Sequence, residues 1–273
     1  MFDELYKPLY GKITDSASYL KRIGIDTVKK TDIETLNALV LAHQRSVPFE
    51  NLDIYDAQAD IDLGIPALYD KIVHRRRGGY CFELNAAFEA LLSSLGYDCY
   101  AVEIRVIRNF TCFMPLSHRG IVVTIDGVRY FCDVGFGGPS PQGAIMLDDP
   151  REQQSGSTLF IVGQGEQYGM NGTMISTVTD SGREPILMFH EDPVDPVDFL
   201  APNEYQSKNK HSIFIKDRLL NLITETGVIT LTGNVLKVHS HGDVTEKTLD
   251  TEDALRDALK EHFGIVVDFR LKL

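Results

Sequence analysis

The chain has 273 residues, of which 43% are hydrophobic and 24% charged, and its formal net charge is −12 at pH 7. These values are ordinary for a soluble globular protein with a sizeable core, and the negative charge argues against nucleic acid or an anionic membrane as the main partner. The N-terminal residues show no basic stretch followed by an apolar one, so we expect no secretory signal. No apolar run approaches the ~18 residues of a membrane span.

The cysteines indicate a reducing environment. Cys81, Cys99, Cys112 and Cys132 form no C-x-x-C pair and have no His/Cys spacing typical of metal sites. We therefore expect a cytoplasmic location and no bound metal.

Residues 1–97 are predicted to form mainly helices. A short amphipathic segment covers 16–23, and a second helix must end before Pro48. Pro66 suits the first turn of a further helix. The last helix of this region begins at Cys81 and ends at Gly96, because its apolar residues recur at helical spacing and glycine commonly follows a helix end.

Beyond Gly96 the apolar pattern alternates with a period of two, which predicts strands. Asp126 and Gly127 are typical of a type I′ hairpin turn. Helical spacing returns at 251–262, and 265–271 is interpreted as a last strand. This order predicts an α+β fold with a largely antiparallel sheet or small barrel. The other predicted strands cover 99–107, 117–125, 128–134, 158–162, 173–178, 186–189, 212–216, 227–231 and 235–238.

Cys81 is the candidate nucleophile. It directly follows a turn that contains Gly78 and Gly79, and it lies in the first turn of the predicted helix. Unpaired N–H groups and the helix dipole favour an anion such as a thiolate there. A free cysteine is more often a small buried apolar residue. The glycines, the helix start and the arginines at 75–77 together favour a nucleophile.

The hairpin turn at 126–127 pairs a histidine with an aspartate. With these two residues as the loop, His118 faces Gly135, and Asp133 lies on the same face two positions away. A diagonal separation of ~7–8 Å between backbones is within reach of a side-chain hydrogen bond. A register slip of one residue would place the two side chains on opposite faces.

His118 and Asp133 each have an alternative interpretation. His190 is the rival histidine, since it lies at a strand end beside two acidic residues. Taken singly, each histidine is more often structural. Asp133 lies in an apolar strand, where a carboxylate needs a specific partner. An aspartate that binds backbone N–H groups at a strand end is the alternative.

Four motifs follow one another along the chain: Val-Pro-Phe-Glu-Asn-Leu-Asp at 47–53, Arg-Gly-Gly-Tyr-Cys-Phe-Glu-Leu-Asn at 77–85, His118, and Asp-Val-Gly-Phe-Gly at 133–137. In this order and with these spacings, they resemble the arylamine N-acetyltransferases. Arg77 and Glu50 belong to two of the motifs and are expected to form an ion pair behind the nucleophile.

The resemblance implies a fold in three parts around a cysteine-protease-like catalytic core. These are an N-terminal helical bundle at 1–97 that carries the nucleophile, a central antiparallel β-barrel at 98–200 that carries the histidine and aspartate, and a C-terminal α/β lid at 201–273.

The resemblance also implies the chemistry. Cys81 carries an acetyl group from acetyl-CoA, His118 is the base, and Asp133 orients His118. The acceptor in this ping-pong scheme is an arylamine or arylhydrazine, and the implied role is xenobiotic metabolism. Phe136 is expected to contact the aromatic ring or the acyl group.

Four residues are predicted to contact coenzyme A. Gly137 and Gly138 form a loop where the backbone can approach the pyrophosphate closely. Tyr205 is carried over from the resemblance, and Lys208 belongs to a downstream basic cluster that could balance the phosphates. The residues at 208–211 depart from the Thr-Ser-Pro-type residues of relatives, so His211 is not carried over as a contact.

Two alternatives to this function stay open. The same Cys-His-Asp set serves amide synthases and thiol acyl-hydrolases, which differ in the acyl donor and acceptor. A non-catalytic binding homologue is the second alternative, because a triad can persist in a protein with a blocked cleft.

Overall fold

Helices form the first part of the chain, strands the middle, and a sheet with one long helix the end, so the fold is α+β as predicted. The computed structural model describes residues 2–108, 110–112 and 114–273. The α-helices in chain order are α1 (Phe2–Tyr6), α2 (Ser16–Arg22), α3 (Ile33–Ser46), α4 (Leu52–Tyr55), α5 (Ile65–Tyr69), α6 (Cys81–Leu95), α7 (Leu200–Lys208), α8 (Ile213–Lys216) and α9 (Glu252–Phe263). The strands are β1 (Phe49–Glu50), β2 (Asp98–Val106), β3 (His118–Ile125), β4 (Val128–Cys132), β5 (Ile145–Met146), β6 (Gln153–Ser155), β7 (Thr158–Gln167), β8 (Met170–Thr179), β9 (Gly182–Phe189), β10 (Leu219–Ile223), β11 (Gly227–Thr232), β12 (Val235–Ser240) and β13 (Asp243–Thr248).

The helix that begins at Cys81 has the predicted bounds. Gly96 follows its last residue with φ 97°, a left-handed conformation that glycine adopts without steric cost. Nearly all of the first two turns of α6 are buried, because the helix lies between the N-terminal helices and the strands. Cys81 is therefore held at the tip of a central element.

The middle of the chain forms a nearly closed antiparallel barrel of eight strands in the order β5-β4-β3-β2-β9-β8-β7-β6. Asp126 and Gly127 both have positive φ, of 50° and 79°, as a type I′ turn requires. Ile125 pairs with Val128, so the predicted hairpin register is confirmed. Side chains alternate between the barrel interior and the helix-facing side, which the period of two demands.

The end of the chain forms a second antiparallel sheet, of five strands in the order β1-β10-β11-β12-β13. Its first strand comes from the N-terminal part of the chain, because Phe49 pairs with Asn221 and Glu50 with Leu220. Helix α9 packs on this sheet through Leu255, Leu259 and neighbouring apolar side chains.

Two predicted strands are wrong. Ser212 accepts a hydrogen bond from the Phe214 amide at 3.2 Å and caps α8, so 212–216 is a cap and a helical turn. The segment 265–271 has no strand; Ile265 and Leu271 instead pack into the core beneath α9. The sequence also failed to predict β10 and β13, which have mostly half-buried or exposed side chains and therefore weak alternation.

Apolar packing crosses the expected three-part division of the chain. The largest core combines α2, α3 and α6 with the helix-facing side of β3, including Ile121 and Val123. A shared core does not test where the boundaries of the three parts lie, so the boundaries at 97/98 and 200/201 stay predictions. Among the described residues, no helix has the length and apolar character of a membrane span.

Candidate active site

A tight backbone contact fixes the turn that precedes Cys81. The amide of Glu50 donates to the carbonyl of Gly79 at 2.9 Å. A Cβ atom at Gly78 would lie only 1.9 Å from the carbonyl oxygen of Pro48, so no larger residue fits. The Glu83 carboxylate accepts the Tyr80 amide hydrogen at 3.1 Å and closes the N-terminus of α6. Cys81 is thus held on a rigid turn.

His118 and Asp133 form the predicted hydrogen bond. Nε2 of His118 lies 2.6 Å from Oδ2 of Asp133, and both side chains are buried. The other carboxylate oxygen, Oδ1, accepts hydrogen bonds at 2.8 Å from Asn85 Nδ2 and from the Gly135 amide. The carboxylate is therefore fixed on both oxygens and has its charge directed at the imidazole.

Asn85 connects the three elements that carry these residues. It lies one helical turn after Cys81, and its Nδ2 also donates to the Arg119 carbonyl of β3 at 2.6 Å. Its Oδ1 accepts the Val134 amide at 2.9 Å. No role of Asn85 was predicted, although its spacing from Cys81 places both side chains on one face of α6.

A glycine lets the aspartate segment approach the nucleophile helix. A Cβ atom at Gly135 would lie 2.9 Å from the Cα of Cys81. Behind this segment, Nε2 of Gln44 donates to the carbonyl oxygens of Asp133 and Pro141, at 2.8 and 2.9 Å. The loop that follows Asp133 is therefore tied to α3.

The electrostatics of the site favour a protonated imidazole. Burial works to lower the pKa of His118, but the charge and hydrogen bond of Asp133, together with the Cys81 side chain, raise it to about 10. The Cys81 side chain contributes to this shift, and Cys81 and His118 border the same cavity; the Cys81 sulfur lies 3.9 Å from the Ser117 carbonyl oxygen. The structure thus brings Cys81, His118 and Asp133 together as expected.

A network of buried charges lies behind the nucleophile turn. The expected Arg77–Glu50 ion pair is present at 2.7 Å, and Asp53 accepts from Arg77 at the same distance. Lys71 bridges Asp53 and Glu83, at 2.7 Å to each. Burial raises the pKa of Asp53, but Lys71 and Arg77 outweigh it and lower this pKa to about 2. The compensated charges make this network a structural support.

A cavity of about 480 Å³ opens above Cys81 and His118. Of the predicted ligand contacts, Phe136, Gly137 and Tyr205 border it. Gly138 and Lys208 do not: Gly138 borders a small neighbouring void, and Lys208 pairs with Asp60 and Glu204. The ligand-binding roles of all five residues stay predictions.

The cavity is bordered by one set of apolar and one set of polar side chains. Aromatic and aliphatic side chains of the barrel side and of α8 provide the first, and residues of the C-terminal sheet provide much of the second. No local pattern marks these polar residues as part of a site: β10, which carries Asn221, was not predicted, and β11, which carries Thr230 and Thr232, was predicted without a role at the site. The apolar residues include Val106, Phe110, Met114, Phe136 and Phe214, and the polar ones Asn221, Thr230, Thr232 and His211.

Over the described ranges, no three His, Cys, Asp or Glu side chains are placed to bind a metal ion.

The comparisons with known proteins identify the family. The sequence model of a family described as N-acetyltransferase matches residues 32–272. An arylamine N-acetyltransferase of Mycolicibacterium smegmatis is 32% identical over 256 residues, which cover 92% of this chain and 92% of the relative. The chain belongs to the arylamine N-acetyltransferase family.

Solved structures of arylamine N-acetyltransferases have the same fold. The enzyme of Salmonella typhimurium matches with a TM-score of 0.87 and 25% identity over 96% of both chains. The enzyme of Mycobacterium marinum in complex with CoA matches with a TM-score of 0.83 and 28% identity, over 92% of this chain and 93% of that one. Arylamine N-acetyltransferases are acyltransferases with a cysteine-protease-like fold, so this chain is an acyltransferase of that fold class.

Proposed function

We propose that the chain transfers an acetyl group from acetyl-CoA to arylamines or arylhydrazines through an acetyl-Cys81 intermediate. The observation that carries the proposal is that Cys81 and His118 border one cavity, while His118 is hydrogen-bonded to the buried Asp133 at 2.6 Å. The family supports the reaction class, and the M. marinum relative in complex with CoA supports the donor.

In the first half-reaction, the Cys81 thiolate attacks the thioester carbonyl of acetyl-CoA. The high pKa of His118 keeps the imidazole protonated at neutral pH, so the ring stabilises a thiolate beside it. The Cys81 amide N–H, which as the first donor of α6 has no carbonyl acceptor in its own helix, is the proposed oxyanion donor, and such a donor is worth about 3–4 kcal/mol. The tetrahedral intermediate expels the coenzyme A thiolate, which takes the proton of His118, and Cys81 keeps the acetyl group.

In the second half-reaction, the amine attacks the carbonyl carbon of acetyl-Cys81. His118, now neutral, accepts a proton from the attacking nitrogen, and the Cys81 thiolate leaves. Asp133 keeps Nε2 of the ring engaged, so the remaining nitrogen, Nδ1, faces the reaction. An arylamine suits this step because it is neutral and nucleophilic at pH 7.

The apolar region of the cavity supports an aromatic acceptor. Phe136 lies edge-on to the His118 ring, with 5.3 Å between the ring centroids, and forms part of the cavity wall. Gly137 and Tyr205 on the same cavity are proposed contacts of coenzyme A. Gly138 and Lys208 remain proposed contacts for parts of coenzyme A that extend beyond the cavity. The reducing, cytoplasmic location and the role in xenobiotic metabolism belong to this proposal as well.

Intact-mass spectrometry after mixing with acetyl-CoA tests the proposal directly. We expect a single acetyl adduct that is lost when an arylamine such as 4-methoxyaniline is added, with release of free coenzyme A. Cys81→Ser should form no labile thioester and should release no coenzyme A, and Cys132→Ser, another buried cysteine, serves as the matched control. Hydrolysis of acetyl-CoA without any transfer to the amine would instead indicate a thiol acyl-hydrolase. Absence of the adduct in the unmodified protein would refute acetyl transfer.

A further inference from the structure

The charge distribution of the cavity singles out His211. Among the described residues that border the cavity, there is no Lys, Arg, Asp or Glu, and the ionisable side chains are Cys81, His118, Tyr205 and His211. His211 is exposed to solvent while it borders the cavity, so it lies at the entrance. Tyr205 also borders the cavity and is exposed, but of these two side chains only the imidazole of His211 can carry a positive charge, so His211 is the one suited to an acidic oxygen of a substrate.

Some basic side chains near His211 form ion pairs with carboxylates, and others do not. Lys208 binds Asp60 at 2.7 Å and Glu204 at 3.0 Å, and Arg218 is buried against Asp56 at 2.7 Å. Lys210 and Lys216 are exposed and form no ion pair within the described residues. Lys210 and Lys216 flank 211–214, which border the cavity, so this segment carries two positive charges beside the cavity although the net charge of the protein is −12.

The segment that carries His211 is held in place. The His211 amide donates to Asn209 Oδ1 at 2.9 Å, and the next hydroxyl, Ser212 Oγ, donates to the Gln206 carbonyl at 2.6 Å. Asn51 of the 47–53 motif donates to the Phe214 carbonyl at 2.9 Å and thereby fixes α8. The backbone at His211 is thus ordered while its side chain is free to meet a ligand.

We infer that His211 recognises an acidic oxygen of a substrate at the cavity entrance. This inference rests on the proposed function, because it concerns the same cavity. An imidazole ring presents at least one N–H donor in either protonation state, and Lys210 and Lys216 favour an anion there. The acidic group is either a phosphate of the acyl donor or a carboxylate on the aromatic acceptor, and the same contact would serve both.

Two matched pairs of ligands distinguish a phosphate of the acyl donor from a carboxylate of the aromatic acceptor. Coenzyme A and pantetheine differ by the phosphates and the nucleotide, and 4-aminobenzoate and its methyl ester differ by the carboxylate charge. We expect isothermal calorimetry to show that His211→Ala weakens binding of the charged member of one pair about fivefold, a size typical of an exposed charged contact. The neutral member of that pair should change less than about 1.5-fold on the same scale. His211→Gln keeps an N–H donor and should recover part of the loss.

The controls keep the test independent of folding and of turnover. His241→Ala removes an exposed histidine in the turn between β12 and β13 and should leave both ratios unchanged. Loss in the coenzyme A pair assigns the contact to the donor, and loss in the aminobenzoate pair assigns it to the acceptor. Equal binding of the charged ligands to the unmodified protein and His211→Ala, or equal weakening of charged and neutral ligands, overturns the inference. Calorimetry needs no catalysis, so a failure of acetyl transfer would appear separately in the mass spectra.

Discussion

His43 and His118 are both buried, yet their protonation is opposite. His43 on α3 has the Tyr19 hydroxyl 3.0 Å from Nε2 and the edge of the Phe88 ring as neighbours, and its Nδ1 has no partner among the described atoms. Burial, with a smaller contribution from Arg22, lowers its pKa to about 3. His118 is as deeply buried, but the carboxylate beside it raises its pKa to about 10.

The difference shows what one carboxylate does in this protein. Burial alone makes a histidine neutral, because the charged form loses its hydration. Asp133 reverses that preference because its own two oxygens are fixed by Asn85, Gly135 and His118 and cannot turn away. Whether a buried histidine in this protein can stabilise a thiolate therefore depends on a neighbouring carboxylate and not on its burial.

Replacing Asp133 by Asn should have the largest effect, because it gives His118 surroundings like those of His43. The imidazole then becomes neutral at pH 7 and no longer stabilises a thiolate. We expect kcat/KM for an arylamine to fall about 10⁴-fold, as in triads where this replacement leaves the geometry intact. Coenzyme A release measures it, and Asp126→Asn in the exposed hairpin turn is the control. A loss of less than about tenfold would contradict the proposed role of Asp133.

Asn85→Ala sharpens the comparison by loosening the carboxylate without removing it. Asp133 Oδ1 then keeps the Gly135 amide, and the Val134 amide loses its acceptor. We expect kcat/KM to fall about tenfold to hundredfold, which corresponds to about 1–3 kcal/mol. The acidic limb of the pH–rate profile should shift as well. Asn171→Ala, at an exposed position of β8, is the control. A lower unfolding free energy with an unchanged pH profile would reduce Asn85 to a purely structural residue.

The raised pKa of His118 predicts an alkaline loss of stability. The folded-state value of about 10 lies above the ordinary 6.5, so the pair contributes stability that is fully present below pH 6.5 and is lost as pH rises through 10. One such group changes the unfolding free energy by at most about 1.4 kcal/mol per pH unit. Denaturant unfolding between pH 6 and pH 10 should show the difference between the unmodified protein and Asp133→Asn shrinking steadily. A constant difference would mean that the two side chains are not paired as ions.

The lowered pKa of His43 predicts a loss of stability at acidic instead of alkaline pH. Replacing His43 should have the smallest effect of these changes at neutral pH. Its folded-state pKa of about 3 lies below 6.5, so the unfolded chain takes up the proton first and stability is lost as pH falls from 6.5 toward 3. His43→Phe should remove this contribution and keep the unfolding free energy at pH 7 within about 1 kcal/mol, the worth of the Tyr19 hydrogen bond. Acetyl transfer at pH 7 should change little. Unfolding curves at pH 7 and pH 4 measure both effects, and an unchanged acid sensitivity would contradict a neutral buried His43.

The sequence predicted the parts of the site that depend on local chemistry. The Asp126–Gly127 turn determines the hairpin register, and the register places His118 beside Asp133. The position of Cys81 follows from the glycine turn and a helix that ends at Gly96, both of which are short-range signals.

The features that were not predicted from the sequence depend on contacts between residues that lie far apart in the chain. Lys208 pairs with Asp60, which lies far away in the chain, as well as with Glu204 one helical turn before it, and the sequence gives no indication of the Asp60 contact. His211 came to the cavity because 213–216 folds as α8 and is anchored by Asn51, and no local pattern indicates that anchor. The consecutive β-branched and aromatic residues at 213–215 favoured a strand, but Ser212 caps this segment and it forms a helical turn in the structure.

The two-residue strand β1 has a consequence for how the molecule is completed during synthesis. Phe49 and Glu50 pair with Asn221 and Leu220, while Glu50 also binds Gly79 beside the nucleophile turn. Before β10 is synthesised, this edge of the sheet is unpaired and the cavity above Cys81 lacks Leu220 and Asn221. Contacts between residues that lie far apart in the chain form slowly. We therefore expect the cavity wall beside Cys81 to be completed only after the C-terminal sheet has folded.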